Sequence, residues 1–202
     1  AIDLIDIKTA ADVSGARFTY LKNEAALLQF RLVQLVMKSV TDQNVIKELA
    51  DSVNNDYDTP FTPVVPPVLM RPDVMDRMGR LHPIEDRFVL EKDDLVLVGS
   101  AEHTLGPIHM DTTLEAENLP IRYIGYSTAF RQEAGSYGKD TRGILRVHQF
   151  DKLEFETFSL PEDGEKEQNL LIAFQEYFLQ LLEIPYQVID ICSGDKGTPA
   201  YR

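Results

Sequence analysis

Apolar residues recur at helical spacing in two stretches of the chain. Between residues 23 and 38, Leu27, Leu28, Leu32, Leu35 and Val36 fall on one side of a helix. Between residues 164 and 183, Leu170, Leu171, Phe174, Tyr177, Phe178, Leu181 and Leu182 make a continuous stripe, which predicts a helix whose aromatic members are core. Residues 42–53 continue or restart the first helix, and residues 54–60 are polar and end in proline, a loop signal. Residues 61–69 (FTPVVPPVL) are valine-rich but broken by prolines, so they read as a strand at an edge or an interface. Arg71-Pro72-Asp73 starts a helix with proline in the first turn. Residues 87–98 read as a hairpin turning at Lys92-Asp93-Asp94, and residues 186–192 as a buried strand. The fold class is α+β, an antiparallel β-sheet flanked by helices, in one domain over residues 1–202.

Two further segments, 122–133 and 146–156, read as strands joined by a glycine-rich loop, STAFRQEAGSYGKDTRGILRVHQFDKLEFE over residues 127–156. Strand side chains alternate faces. Arg131 and Glu133 then share a side, and so do Arg146, His148, Phe150, Lys152, Glu154 and Glu156. The opposite side carries Val147, Leu153 and Phe155 among Gln149, Asp151 and Thr157. Arginines, one aromatic ring and several carboxylates on a single face suit a flat anionic ligand that also bears a cation. Arg131 and Arg146 present guanidinium forks for phosphate. Phe150 offers a face for a base, and Glu154 a carboxylate for an ammonium. The glycines between residues 134 and 143 permit close approach to a ligand. On spacing alone, a solvated hairpin with surface ion pairs fits equally well.

Composition narrows the field. Lys+Arg is 20 against Asp+Glu 33, a net charge of −13, which argues against a general RNA-binding module while leaving a local basic cleft at Arg131, Lys139, Arg142 and Arg146. An apolar fraction of 44% supports a sizeable core. The single cysteine, Cys192, rules out an intramolecular disulfide and suits a reducing compartment, and it reads as a packed residue at a strand end. No run approaches a membrane span. His103 and His109 are six apart, neither helical nor zinc-finger spacing, and His148 is placed to orient neighbours.

FRQEAGSYGKDTRGILRVHQFDKLE resembles motif 2 of class II aminoacyl-tRNA synthetases, in the form found in bacterial-type seryl-tRNA synthetases. DVSGARFTYLK (12–22) resembles the start of that family's catalytic domain, FTPVVPPVL its motif 1, VGSAEHTL (98–105) its serine-binding Thr-x-Glu element, and ICSGD (191–195) a strand end before its metal-binding segment. The resemblance implies a class II catalytic core, incomplete here, that activates serine with ATP and Mg²⁺ and transfers it to tRNA(Ser).

Residue by residue, the resemblance places Arg131, Gln132, Glu133, Arg146, Val147 and Phe150 on ATP, with Arg131 on the α-phosphate and catalytic, and Phe150 under adenine. Ser100, Ala101, Glu102, Arg131 and Glu154 would bind serine. Pro67 would lie at a homodimer interface. The family has threonine where this chain has Ser100, which keeps the hydroxyl and loosens the packing. No metal ligands are assigned, because the family's metal-binding residues and motif 3 lie beyond Arg202. The expectation is of a fragment that activates serine poorly alone, from a cytoplasmic enzyme without a membrane segment. A non-catalytic paralogue and an amino acid:carrier protein ligase are the alternatives; the latter needs cysteine and histidine ligands for zinc, and Cys192 is the one cysteine.

Overall fold

The computed structural model describes residues 3–134, 143–197 and 200. A short ribbon opens the chain, β1 (Ile5–Asp6) pairing antiparallel with β2 (Tyr20–Leu21) around helix α1 (Ile7–Ser14). Asp6 caps α1 by accepting from the Thr9 amide at 2.9 Å. Helix α2 (Asn23–Ser39) follows, and the chain breaks before α3 (Gln43–Ser52), where Asp42 accepts from the Asn44 amide. The helix therefore restarts rather than continues.

Residues 61–69 divide into two short strands, β3 (Thr62–Val64) and β4 (Leu69–Met70), which enter different sheets on either side of Pro66-Pro67. Proline supplies no ladder donor, so the break falls there. Helix α4 (Pro72–Arg77) has proline in its first turn. β5 (Val89–Leu90) and β6 (Leu95–Leu97) form the expected hairpin, with Asp94 at φ +52° in its turn. β4 pairs with the other side of β6, and Met70, Met75, Val96 and Val98 form a small core against this sheet. Helix α5 (Glu102–Leu105) is one turn long.

The principal sheet has the order β3-β7-β8, with β7 (Ile121–Phe130) and β8 (Gln149–Phe158) antiparallel over ten residues each. β3 lies at its edge, as proline demands, but runs parallel to β7. The strands are displaced from their expected limits. β7 ends at Phe130, so Arg131 and Glu133 lie just past it, and β8 starts at Gln149. The ladder continues as one bond, Arg131 N–H to His148 O at 3.0 Å.

One face of this sheet packs on helix α6 (Gly164–Leu181) and α3, with Leu153 and Phe155 joining Phe61, Ile124, Leu170 and Phe174. Phe174 is fully buried, and Tyr177 and Phe178 are partly covered, as the stripe requires. A buried ion pair crosses this region. Arg122 donates to both carboxylate oxygens of Glu167 (2.8 and 2.5 Å) and to the carbonyls of Thr59 and Tyr57.

Residues 186–192 do not form the expected buried strand. Val188, Ile189 and Ile191 are 61, 74 and 53% exposed, and none of them pairs with a strand. Apolar β-branched content alone misled, because a strand needs a ladder partner as well as propensity. Cys192 is exposed rather than packed, and its thiol donates to Asp195 Oδ2 at 3.1 Å.

Candidate active site

The free face of the β7–β8 hairpin carries the site. The register sets Ala129 opposite Phe150, Ser127 opposite Lys152, Gly125 opposite Glu154 and Tyr123 opposite Glu156. Paired residues project to the same side. At three of these pairs β7 contributes a small residue, Gly125, Ser127 or Ala129, where β8 contributes a long one, which leaves room for another segment to settle on the sheet. That segment is residues 98–105. Gly125 permits the close fit: a Cβ there would lie 2.4 Å from Leu105 Cδ1 and 3.3 Å from Ala101 Cβ, so Leu105 would have to shift. The close approach brings Ser100 Oγ to Glu154 Oε2 at 2.6 Å.

Arg131 sits at the centre. Its Nε donates to Gly99 O at 2.9 Å, and its guanidinium lies over the Phe150 ring, 5.2 Å from the centroid. His148 fixes the backbone beneath it. The imidazole Nδ1 donates to Arg131 O at 2.9 Å, and the ring packs between Phe18 and Phe88. This is the orienting role expected for His148. Glu133, held at φ +53°, pairs with Arg146 Nη1 at 3.0 Å.

Two cavities meet at Arg131 and Glu133. One, of about 400 Å³, is lined by Arg80, Arg87, Ser100, Glu102, Arg131 and Glu133, among others. The other, of about 350 Å³, is lined by Arg131, Glu133, Ile144, Arg146, Val147 and Phe150, with Leu145. The first is rich in charge; the second sets the apolar side chains of Ile144, Leu145, Val147 and Phe150 beside two guanidiniums and the Glu133 carboxylate. Phe150 and Val147 also border a wider cleft of about 610 Å³ against α1, β2 and α2.

Of the sequence-derived residues, Ser100, Glu102, Arg131, Glu133, Arg146, Val147 and Phe150 line these two cavities, and Glu154 reaches the first through Ser100. Ala101 is fully buried and packs the segment onto the sheet. Gln132 lines neither cavity. Its side chain donates to Arg87 O at 3.0 Å and its amide to Asp86 O, so it anchors the strand end. Pro67 is exposed and lines neither cavity, with its carbonyl accepting from Thr104 Oγ1. Lys139 and Arg142 lie outside the described residues.

Four residues of the site had no sequence assignment. Arg80 forks onto Glu102 Oε1, its Nε at 2.9 Å. Arg87 reaches Arg80 O through Nε and Nη2. His103 accepts from the Gly99 amide through Nδ1 at 3.2 Å; burial, then the charges of Arg87, Arg80, Arg131 and Lys152, push it down to about 4, so it is neutral. Glu156 is pushed up to about 7 by burial and then by Glu102 and Glu154, against the pull of Arg80. All depend on tertiary approach, and only Glu156 carried a signal, its strand parity.

The Phe150 ring can hold a flat base, the guanidiniums can hold phosphate, and the carboxylates can hold an ammonium. Joined at one arginine, they suit an enzyme that brings a nucleotide to a small amino compound. The chain belongs to the family of the tRNA synthetase class II core domain (G, H, P, S and T), whose profile matches residues 86–202, more than half its length. It is similar to the serine–tRNA ligase of Acidothermus cellulolyticus, 46% identical over 199 residues, which are 98% of this chain and 44% of that protein. The chain thus spans less than half the length of the curated relatives it matches. Among solved structures, the seryl-tRNA synthetase of Pyrococcus horikoshii complexed with ATP superposes with a TM-score of 0.80 at 39% identity, covering 95% of this chain and 39% of that one. The cytoplasmic serine–tRNA ligase of Naegleria fowleri in complex with AMP superposes at 0.76 and 28% identity, covering 97% and 43%.

Proposed function

We propose that the chain supplies the ATP and serine subsites of a serine–tRNA ligase. The observation that carries the reading is the shared wall: Arg131 borders both cavities, stacks on Phe150 and bonds beside Ser100. Adenine lies on Phe150 with Val147 beside it, Arg146 and Glu133 border the nucleotide, and Gln132 fixes the strand end that carries them. Serine's ammonium meets Glu154, with Ser100, Ala101 and Glu102 as the pocket's other wall.

Arg131 holds the α-phosphate against the serine carboxylate. A carboxylate oxygen attacks the α-phosphorus in line, the bond to the bridging oxygen breaks, and pyrophosphate leaves with the electron pair. The product is seryl adenylate, whose acyl group passes to the terminal ribose of tRNA(Ser). Catalysis is mainly placement and charge stabilisation. No proton need be taken from the nucleophile, which suits a neutral, buried His103 and an orienting His148. Mg²⁺ would bind the ATP phosphates and neutralise the departing pyrophosphate. Among the described residues there is no group of three or more His, Cys, Asp or Glu that could hold a metal ion.

A site that hydrogen-bonds a hydroxyl rejects analogues lacking it, because its polar groups would be left unpaired. Assembly as a homodimer through the segment around Pro67 and residence in the cytoplasm complete the reading. In its support, no helix among the described residues is long and apolar enough to cross a membrane.

Calorimetry on the full-length protein tests the two subsites separately. Glu154→Ala is expected to abolish serine binding and spare ATP. Phe150→Ala is expected to weaken ATP roughly tenfold, the loss of one stacked base, and to spare serine. Normal serine affinity in Glu154→Ala would remove that carboxylate from the pocket.

A further inference from the structure

The pocket read above as serine's already contains an ammonium. Lys152 pairs through Nζ with Glu154 Oε2. The same Nζ donates to Ser100 Oγ at 3.2 Å, and Ser100 Oγ donates to Glu154 Oε2 at 2.6 Å. The three groups close a triangle around one carboxylate oxygen. The lysine head is the chemical equivalent of an amino acid's ammonium, a full charge with three donors. Its contacts are with the serine-site groups that an incoming ammonium would need.

The surrounding charges make the triangle specific. Glu102 is engaged by Arg80. Glu156, on the same sheet face, is pushed up to about 7 by burial and then by Glu102 and Glu154. Lys152 and Glu154 are sheltered rather than dry, their side chains 32 and 22% exposed. A pair of that kind is weak enough to exchange and strong enough to matter.

We propose that Lys152 sets the affinity of this pocket: its ammonium competes with the substrate's for Glu154 and Ser100, and swings away when serine binds. The proposal rests on the assignment of the pocket to serine. One ammonium exchanging for another gains almost nothing. A bare amine is therefore rejected, and only a ligand that adds contacts through its hydroxyl and carboxylate displaces the lysine. Discrimination comes from the competing contact as much as from the attractive ones.

Lys152→Met in the full-length protein keeps the stem and removes the charge. Calorimetry is expected to show serine binding tightened about two- to fivefold, the size of a partly exposed ion pair, with ATP affinity unchanged. Ethanolamine, which has the amine and hydroxyl without the carboxylate, is expected to gain by at least the same factor. Lys152→Gln answers the same question should the methionine variant not fold. Weaker serine binding with intact ATP binding would make Lys152 a direct substrate ligand and overturn the proposal. Unchanged affinity for serine and ethanolamine would overturn it equally. Glu154→Gln, run alongside, separates the levels. If it loses serine while Lys152→Met gains nothing, the competition fails and the pocket stands. If it keeps serine, the pocket assignment and the competition fall together.

Discussion

Glu167→Ala should be strongly destabilising although it lies away from the cavities. Arg122 has a side-chain exposure of 0% and Glu167 of 4%. The guanidinium makes two bonds to that carboxylate, at 2.8 and 2.5 Å, and Asn55 Nδ2 makes a third at 2.8 Å. Truncation leaves the Thr59 and Tyr57 carbonyls as Arg122's remaining partners and strands a buried charge. The expected cost is about 3–5 kcal/mol, a large part of the roughly 5–15 kcal/mol that stabilises an ordinary domain. Urea unfolding is the assay. The chain has eight tyrosines and no tryptophan, so tyrosine emission and circular dichroism report it. With a slope of about 2 kcal/mol per molar, the midpoint should fall by roughly 2 M. Replacing both partners together, Arg122→Met with Glu167→Leu, should cost far less than either truncation, because no charge is then left unpaired. A midpoint shift under about 0.5 M for Glu167→Ala, corresponding to roughly 1 kcal/mol, would refute the view that this pair locks the start of β7 onto α6.

Glu156→Gln should change how stability varies with pH. Glu156 titrates near 7 in the fold against an ordinary 4.5. Folding favours its protonated form, so this contribution is fully present below about 4.5 and is lost as pH rises through about 7. Glutamine stays neutral and should remove that loss, seen as a gain of a few kcal/mol over the parent at alkaline pH; parallel curves for parent and variant from acid to alkaline pH would refute the burial argument. His103 acts in the opposite sense, its contribution present above about 6.5 and lost as pH falls through about 4, so the parent–variant difference is the quantity to compare. Gly125→Ala should crowd the seat of α5, since the new Cβ meets Leu105 Cδ1 at 2.4 Å and Ala101 Cβ at 3.3 Å. Serine affinity should fall more than ATP affinity, with a stability loss of about 1–3 kcal/mol; equal affinities in parent and variant would show that residues 98–105 do not set the pocket.

Much of this was readable before the fold was known, for definable reasons. Strand parity put Phe150, Lys152, Glu154 and Glu156 on one face, and a ten-residue ladder holds them there. Leu170, Leu171, Phe174 and Phe178 of the α6 stripe face the core because helical spacing leaves one apolar side, whereas Leu181 and Leu182 at its end are half exposed. Strand parity does not apply to Arg131 and Glu133, which lie past the end of β7, where Glu133 adopts a positive φ. They still converge, through Gly99 O, His148 and Arg146. Arg80, Arg87 and His103 carried no signal, because a guanidinium reaching a carbonyl or a carboxylate 22 residues away is a tertiary event. The pairing of Arg122 with Glu167, 45 positions apart, was hidden for the same reason. Residues 186–192 show the converse, a strand-like composition without a strand beside it.

The central claim is that one arginine joins a nucleotide slot to a serine pocket. Amino-acid-dependent ATP–pyrophosphate exchange by the full-length protein tests it most directly, with Arg131→Ala beside the parent. The expected result is exchange that requires serine, is not supported by alanine, and is lost in Arg131→Ala. Exchange that is independent of serine, or that survives removal of Arg131, would contradict it.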